Sequence, residues 1–356
     1  MMNELQMIAD FSNAFGPAGF EDDVLAVARR YAPQDARIEE DSLRNLYIYR
    51  KANTGGKPVI QLDAHSDEVG FMIQAIRPNG TLKFVPLGGW VNSNSPAHKV
   101  KVRSRDGSLI SGVTAAKPPH FMTDAEKNRM PALEEMSIDV GASSPEEARD
   151  AYGIRIAAPA APDVTFEYDE KHDIMIGKAF DNRLGCAAIQ STLAALGDET
   201  LAVDVVGAMA SQEEMACRGA VVTARHVNPR IAIVFEGCPA DDTVVESWLS
   251  QTAIHKGPML RHIDARMITN PRFQRWALDL AEELGIPVQE AVRTGGATNG
   301  APIHLSGLGI PCIVIGLPVR YIHSHYGIAS LSDFRDGVRL AVEIIRRLDE
   351  EVIRSF

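Results

Sequence analysis

Ile231-Ala232-Ile233-Val234-Phe235-Glu236 is an unbroken apolar run that ends on a carboxylate. A strand that is apolar at every position has both faces buried, which points to a parallel sheet covered by helices. Ile310–Leu317 has the same texture, and Asn45–Arg50, Pro58–Ala64 and Ala202–Ala208 are further strand-like runs. Helical stretches lie between them: Leu184–Leu196, Pro271–Leu284 with a proline at its start, and Ser332–Ile353 with Ser332 as the expected N-cap. Near the start, Leu5, Ile8, Phe11 and Phe15 form one helical face, and Val24–Tyr31 a second. This alternation predicts an α/β fold, a mostly parallel sheet covered by helices on both faces.

The texture changes between about Glu68 and Pro162. Short strand-like runs recur at Phe71–Ile76, Thr81–Val85, His98–Arg103, Ser108–Val113 and Asp163–Tyr168. Asp106-Gly107 separates two of them, and both residues tolerate positive φ, so a hairpin is expected. Ser144–Tyr152 has helical composition, with Ser143 or Ser144 as its N-cap. A small β-barrel or sandwich is therefore expected as an insert over 68–162, dividing an α/β unit formed by 1–67 and 163–356.

The 356 residues carry 36 Lys+Arg against 47 Asp+Glu, a net charge of −11. That balance argues against nucleic acid, whose binders need a basic stripe. The longest apolar stretches fall short of the roughly 20 residues that span a bilayer, so no membrane association is expected. The N-terminal segment lacks a basic start and a cleavage pattern, and it is not read as a signal peptide. Cys186, Cys217, Cys238 and Cys312 are scattered, which disfavours disulfides and fits a reducing, cytoplasmic setting.

Polar residues gather where strands end. Pro58–Ala64 runs into His65-Ser66-Asp67-Glu68, and an extended chain projects His65 and Asp67 to one side. Asp181 precedes a helix and could be only its N-cap, while Glu213-Glu214 could be only solvated loop acids. Glu236 is harder to dismiss, because a carboxylate at the end of an apolar strand is costly to bury unless it is paired or binds a metal. Ile310–Leu317 leads on to Arg320-Tyr321-Ile322-His323-Ser324-His325. Imidazoles and carboxylates without thiolates suit Zn²⁺, Co²⁺ or Mn²⁺. No Gly-x-Ser-x-Gly elbow, Walker loop or dinucleotide fingerprint is present, and Gly295–Gly300 has the wrong spacing.

Taken in order, several stretches resemble the tetrahedral (TET) dinuclear metalloaminopeptidases. They are Ala64–Met72, Gly177–Cys186, Gln212-Glu213-Glu214 with Arg218-Gly219-Ala220, Glu236-Gly237, Gly295-Gly296 through Leu305, and Arg320–Ser324. Within the insert, Lys117–His120 and Asp139–Ser144 match as well.

The resemblance implies a zinc-peptidase-like fold and two divalent ions per subunit, zinc first, with cobalt or manganese as alternatives. His65 and Glu236 would hold one ion and Glu214 and His323 the other, with Asp181 bridging them. Glu213 would be the general base, Asp67 would orient His65, and the Asp181–Asn182 bond would be cis. The implied activity is removal of the N-terminal residue from short peptides. The insert would serve dimerisation, and the dimers would build a dodecamer. Two positions depart from the commoner pattern: Glu236 and Asn299 stand where relatives often carry Asp, which puts the first ligand's length and the substrate pocket in question. Rival readings are a related amidohydrolase (deacylase or carboxypeptidase) and a non-catalytic assembly protein retaining the fold.

His98, His172, His226, His255, His262 and His304 are read as structural, and His325 as no closer than a supporting neighbour of the site. Cys217 and Cys238 are read as apolar fillers. Arg293 and Arg320 are candidates for an acidic-residue pocket or for scaffold ion pairs.

Overall fold

The computed structural model describes residues 3–356; Met1 and Met2, which the sequence reading includes in the first unit, lie outside the described residues. An eight-stranded sheet forms the centre, in the order Arg37–Glu40, Leu46–Tyr49, Asp204–Ala210, Val59–His65, Ile231–Pro239, Cys312–Val319, Met259–Ile263, Gln289–Val292. The four strands in the middle run parallel, while both flanks bring in antiparallel pairings, so the sheet is mixed with a parallel core. Register explains why polar residues meet: Ala210 lies opposite His65, and Val234 opposite Asp63. All four middle strands therefore end at one edge.

Ile231–Glu236 does what its composition requires. Ile231, Ile233 and Phe235 pack into the larger core with Phe11, Leu184, Ile189, Leu340 and Ile344. Ala232 and Val234 face the other side, against Ala220, Ala224 and Ile303. Helices Glu4–Asn13, Phe180–Leu196 and Leu331–Arg347 cover the first face, and Arg218–Val227 with the short Gly300–His304 turn covers the second.

Strands Gly70–Ile76, Leu82–Leu87, Ser137–Asp139, Leu109–Ala115, Lys99–Arg103 and Pro159–Pro162 close into a barrel. Its core is separate, built on Phe71, Phe84, Val100, Val102, Ile138 and Ala160. The hairpin at Asp106-Gly107 is present, with Gly107 at φ 90° and the Asp106 carboxylate accepting the Ser108 N–H.

Several boundaries move. The run read as Asp163–Tyr168 is not a barrel strand: Pro159–Pro162, just before it, closes the barrel, and only its end, in Glu167–Asp169, is strand, in a separate sheet with Ile174–Gly177 and Gly327–Ala329. Two prolines bracket the barrel strand, so it lacks the β-branched signature of a ladder member. The closing helix begins at Leu331, capped by the Ser330 side chain rather than Ser332, and breaks at Leu348 before Glu350–Arg354. Ser144 caps as expected, but the turn that follows is π-helical over Glu147–Ala151. Met259–Ile263 and Gln289–Val292, short and partly polar, carry no clear period.

The entry to the barrel is pinned by a buried ion cluster. Glu68 accepts from Lys178 Nζ at 2.6 and 2.8 Å, from Arg183 at 3.3 Å and from the Gly16 N–H at 3.1 Å. Arg183 also donates to the carbonyls of Phe11, Ala14 and Gly16, so the end of the first helix, the strand exit and the Phe180 helix share one knot. Burial pushes the Lys178 ammonium down to about 8 against the pull of Glu68. Removing the carboxylate strands two buried cations. Glu68→Ala is expected to cost about 3–5 kcal/mol, read as a lower midpoint in chemical denaturation, with Glu68→Gln losing less.

Candidate active site

Each strand end or following loop delivers one part of the site. His65 closes its strand, Glu213 and Glu214 sit in the loop after Asp204–Ala210, Glu236 lies within Ile231–Pro239, and His323 follows Cys312–Val319. Asp181 comes from the first turn of the Phe180 helix, where its own backbone is non-helical and the Asp181–Asn182 bond is cis, as expected. Asn182 secures that turn by donating to the Phe235 carbonyl at 2.8 Å and accepting from the Gly185 N–H.

The distances converge on Asp181. Its Oδ1 lies 3.0 Å from His65 Nε2, and its Oδ2 lies 3.5 Å from His323 Nε2. Each imidazole has a glutamate of its own: Glu236 Oε1 is 3.4 Å from His65 Nε2, and Glu214 Oε2 is 3.5 Å from His323 Nε2. Asp67 is fully buried behind them. Its two oxygens accept the N–H groups of Glu213 and Glu214 at 2.9 and 3.0 Å, and Oδ1 lies 3.4 Å from His65 Nδ1. Glu213 reaches to 3.9 Å from His65 Nε2, and its other oxygen accepts from the Cys217 thiol at 3.0 Å. All seven residues singled out from the sequence are thus brought together.

The electrostatics reflect carboxylates crowded out of water. Burial drives the Glu214 and Glu213 carboxyls above their ordinary values and Glu236 to about 8, with neighbouring carboxylates adding to the effect. Burial opposes protonation of the histidines, yet hydrogen bonds to Asp181, Asp67 and Glu236 hold His65 well above its ordinary value. His323, facing Asp181 and Glu214, is raised to about 10. Burial disfavours ionised Asp181, but its bonds to His323 and His65 outweigh that and lower it.

Divalent cations fit this donor set. His65, Asp181 and Glu214 offer ligand atoms that all lie within 4.8 Å of one another. Donors about 2.0–2.2 Å from a tetrahedral ion sit about 3.3–3.5 Å apart, close to the imidazole–glutamate separations here. Glu236 Oε2 is buried without a hydrogen-bond partner, an orphan that a cation would satisfy.

Some contributors were invisible to sequence reasoning. Gly89, from the barrel segment, accepts through its carbonyl from His323 Nδ1 at 2.9 Å and so fixes that ring. Gly88, at φ +86°, has no room for a side chain, since a Cβ would lie 2.7 Å from Val69 and 3.0 Å from Glu214. The paired glycines before Trp90 were the available signal. Cys217, read as filler, touches the Glu213 carboxylate.

Asn299 does not line the substrate cavity. It is fully buried and donates to Asp63 Oδ1 at 2.8 Å, alongside Gln61 and Thr223 on Oδ2. Burial raises Asp63 to about 7, and an amide at 299 suits that carboxyl better than a second acid would. His325 is outside the ligand cluster; it stacks on His98 at 4.1 Å and against Trp90 at 5.0 Å. Arg320 is scaffold, bonded through Nε and Nη2 to Asp242.

Imidazoles and carboxylates meeting over a buried aspartate, at the carboxyl edge of a parallel sheet, define a metal-dependent hydrolase site. The chain belongs to the M42 glutamyl aminopeptidase family, which it matches over residues 45–340. It is 31% identical to a glutamyl aminopeptidase of Lactococcus lactis, over 88% of each chain. It is 26% identical to a lysyl aminopeptidase of Pyrococcus furiosus, over 93% of this chain and 92% of that one. A TET aminopeptidase from a marine-sediment thaumarchaeon superposes with a TM-score of 0.93 at 34% identity, over 99% of both chains. This protein is accordingly a metal-dependent aminopeptidase.

Gly237 supplies a test of how the site is held. A Cβ there would lie 2.6 Å from Asp181 Cα and 2.9 Å from its nitrogen, both backbone atoms. Gly237→Ala is expected to displace Asp181 and lower bound divalent metal at least tenfold, measured by elemental analysis of the purified protein. Undiminished metal content would refute that constraint.

Proposed function

We propose that the enzyme removes the N-terminal residue from short peptides, using two divalent ions held by this chain's own residues. His65 and Glu236 would hold one ion, Glu214 and His323 the second, with Asp181 shared between them. The observation that carries this reading is that the two Asp181 oxygens face different imidazoles, each with its own glutamate. Zinc is the first choice for this nitrogen–oxygen set, with cobalt or manganese able to replace it. When bound, the ions would supply Lewis acidity to the scissile carbonyl and lower the pKa of the attacking water.

The remaining chemistry belongs to the side chains. Glu213 stands at the cavity wall, and burial makes its carboxylate a stronger base than a solvated one. It takes a proton from the water as the water oxygen bonds to the carbonyl carbon. It returns that proton to the amide nitrogen as the C–N bond breaks, releasing an amine. Asp67 holds the Glu213-Glu214 backbone and backs the His65 ring. The free α-amino group of the substrate would sit among the carboxylates.

The division into a catalytic unit (1–67 and 163–356) and an insert (68–162) is part of the proposal, supported by the barrel's separate core. We assign the insert to dimerisation, supported by its exposed Phe121 and Met130, and the dimers to a tetrahedral dodecamer, supported by exposed Val244, Trp248 and Leu308 on the catalytic unit. The four cysteines are buried and unpaired, which supports a cytoplasmic location. No helix among the described residues is long and apolar enough to cross a membrane.

Glu213→Gln is expected to keep its metal and lose roughly 10²–10⁴-fold in kcat on an aminoacyl-nitroanilide. His323→Ala should instead lose metal, by elemental analysis. Near-normal turnover in Glu213→Gln would remove the base from the mechanism. Light scattering should report a dodecamer, and a stable monomer would defeat the assembly reading.

A further inference from the structure

The loop that carries His323 is held from the barrel side by a stack of rings. His325 is 1% exposed, and its imidazole packs against two rings of the insert, with centroids 4.1 Å from His98 and 5.0 Å from Trp90. We propose that His325 is a positioning residue: gripped by His98 and Trp90, it keeps the His323 imidazole in place for the second ion. This rests on the two-ion reading above and concerns its Glu214–His323 half alone.

Left to itself, that loop has little to hold it. Tyr321 and His323 are both left-handed, at φ 63° and 55°, a conformation that persists in residues with side chains only where the surroundings enforce it. The His323 side chain is 38% exposed, against 1% for His65, so packing on the ring itself supplies little of that enforcement. Ser324 shares its hydroxyl between the carbonyls of Tyr321 and Tyr326, at 2.7 and 2.8 Å, which closes the turn without tying it to another element. Arg320 anchors the start of the loop on Asp242. The barrel anchors the rest, through the Gly89 carbonyl on His323 and the two rings on His325.

The gripping rings are themselves fixed to the barrel. Trp90 stacks on Phe71 with centroids 4.6 Å apart, and its Nε1–H donates to the Gly70 carbonyl at 3.0 Å. The His98 carbonyl accepts the N–H of Thr114, in the strand Leu109–Ala115, at 2.9 Å. The same segment abuts the other ligand of the second ion, since a Cβ at Gly88 would lie 3.0 Å from Glu214 Oε2. Among the described residues, the side chains of His65 and Glu236 make no hydrogen bond to the barrel, so the first ion's ligands do not depend on it.

His325 does this as a ring, not as a hydrogen-bonding group. Both its nitrogens are buried without a hydrogen-bond partner among the described residues, and the Ser95 carbonyl beside it is taken by the Thr114 hydroxyl. A phenyl ring at 325 would keep the stack and bury no unpartnered nitrogen. An amide side chain would keep the polar atoms and lose the stack. The two substitutions therefore give opposite results for a ring and for a hydrogen-bonding role.

The full-length protein, stripped of metal with a chelator, would be titrated with zinc by calorimetry and with cobalt by visible absorption. The wild type and His325→Phe are expected to take up two ions per chain with matching affinities. His325→Ala and His325→Gln should bind one ion as the wild type does and the other roughly tenfold more weakly or worse. The weakened step should be the one that His323→Ala abolishes, and the cobalt spectrum should change in that step alone. His98→Ala, at a half-buried position, should weaken the same ion about threefold. Wild-type affinity for both ions in His325→Ala overturns the proposal, and so does retention in His325→Gln with loss in His325→Phe. Should His325→Ala fail to fold, His325→Phe and His98→Ala decide: an unchanged His98→Ala or a weakened His325→Phe overturns the assignment. A wild type that takes up a single ion defeats the two-ion reading and this proposal with it; two ions in the wild type and in every position-325 variant defeat the positioning role alone.

Discussion

Asp67, Asp181, Glu213, Glu214 and Glu236 are five carboxylates held largely out of water at one sheet edge, and like charges so placed cannot all remain ionised unaided. The rest of the site is organised around that repulsion. Backbone N–H groups from the Glu213-Glu214 loop satisfy Asp67, and imidazoles flank Asp181 on both sides. Two divalent ions would offset four of the five charges, and the substrate's ammonium would meet the last. The cluster is thus expensive for an empty fold and well matched to cations.

Holding such a cluster demands a scaffold that cannot relax. The parallel register of the central strands brings His65 alongside Ala210 and Val234 alongside Asp63. Gly237 lets the Asp181 backbone press directly on its strand. Behind the sheet edge, Glu68, Lys178 and Arg183 lock the chain where it leaves the sheet for the barrel. The barrel also acts as part of the site: the Gly89 carbonyl orients His323, and Trp90 packs on His325 two residues further along.

Much of this was legible in the residues. Ile231–Phe235, apolar at every position, could be accommodated only between two helical layers, and that is where it lies. The seven polar residues at strand ends were recognisable because each interrupts an apolar run or precedes a helix, and all seven converge. Less regular elements escaped. Met259–Ile263 and Gln289–Val292 mix polar and apolar residues without a period, and the proline-bracketed barrel strand has no strand-like composition. The Ser330 cap was displaced by two residues because Ser330 and Ser332 are equally good cap residues, and only the backbone angle at 330 chooses between them.

The sequence by itself determined the α/β class, the β-rich insert and the identity of the carboxylates and imidazoles, because burial period and ligand chemistry are properties of residue type and spacing. Tertiary structure alone decided that Arg293 pairs with Asp241, that Asn299 serves Asp63 instead of substrate, and that a glycine carbonyl from the barrel holds His323. Those are contacts between residues 52 to 236 positions apart, from Arg293–Asp241 to Asn299–Asp63. No local pattern encodes such pairings; they follow from strand order and from which loops the sheet edge brings together.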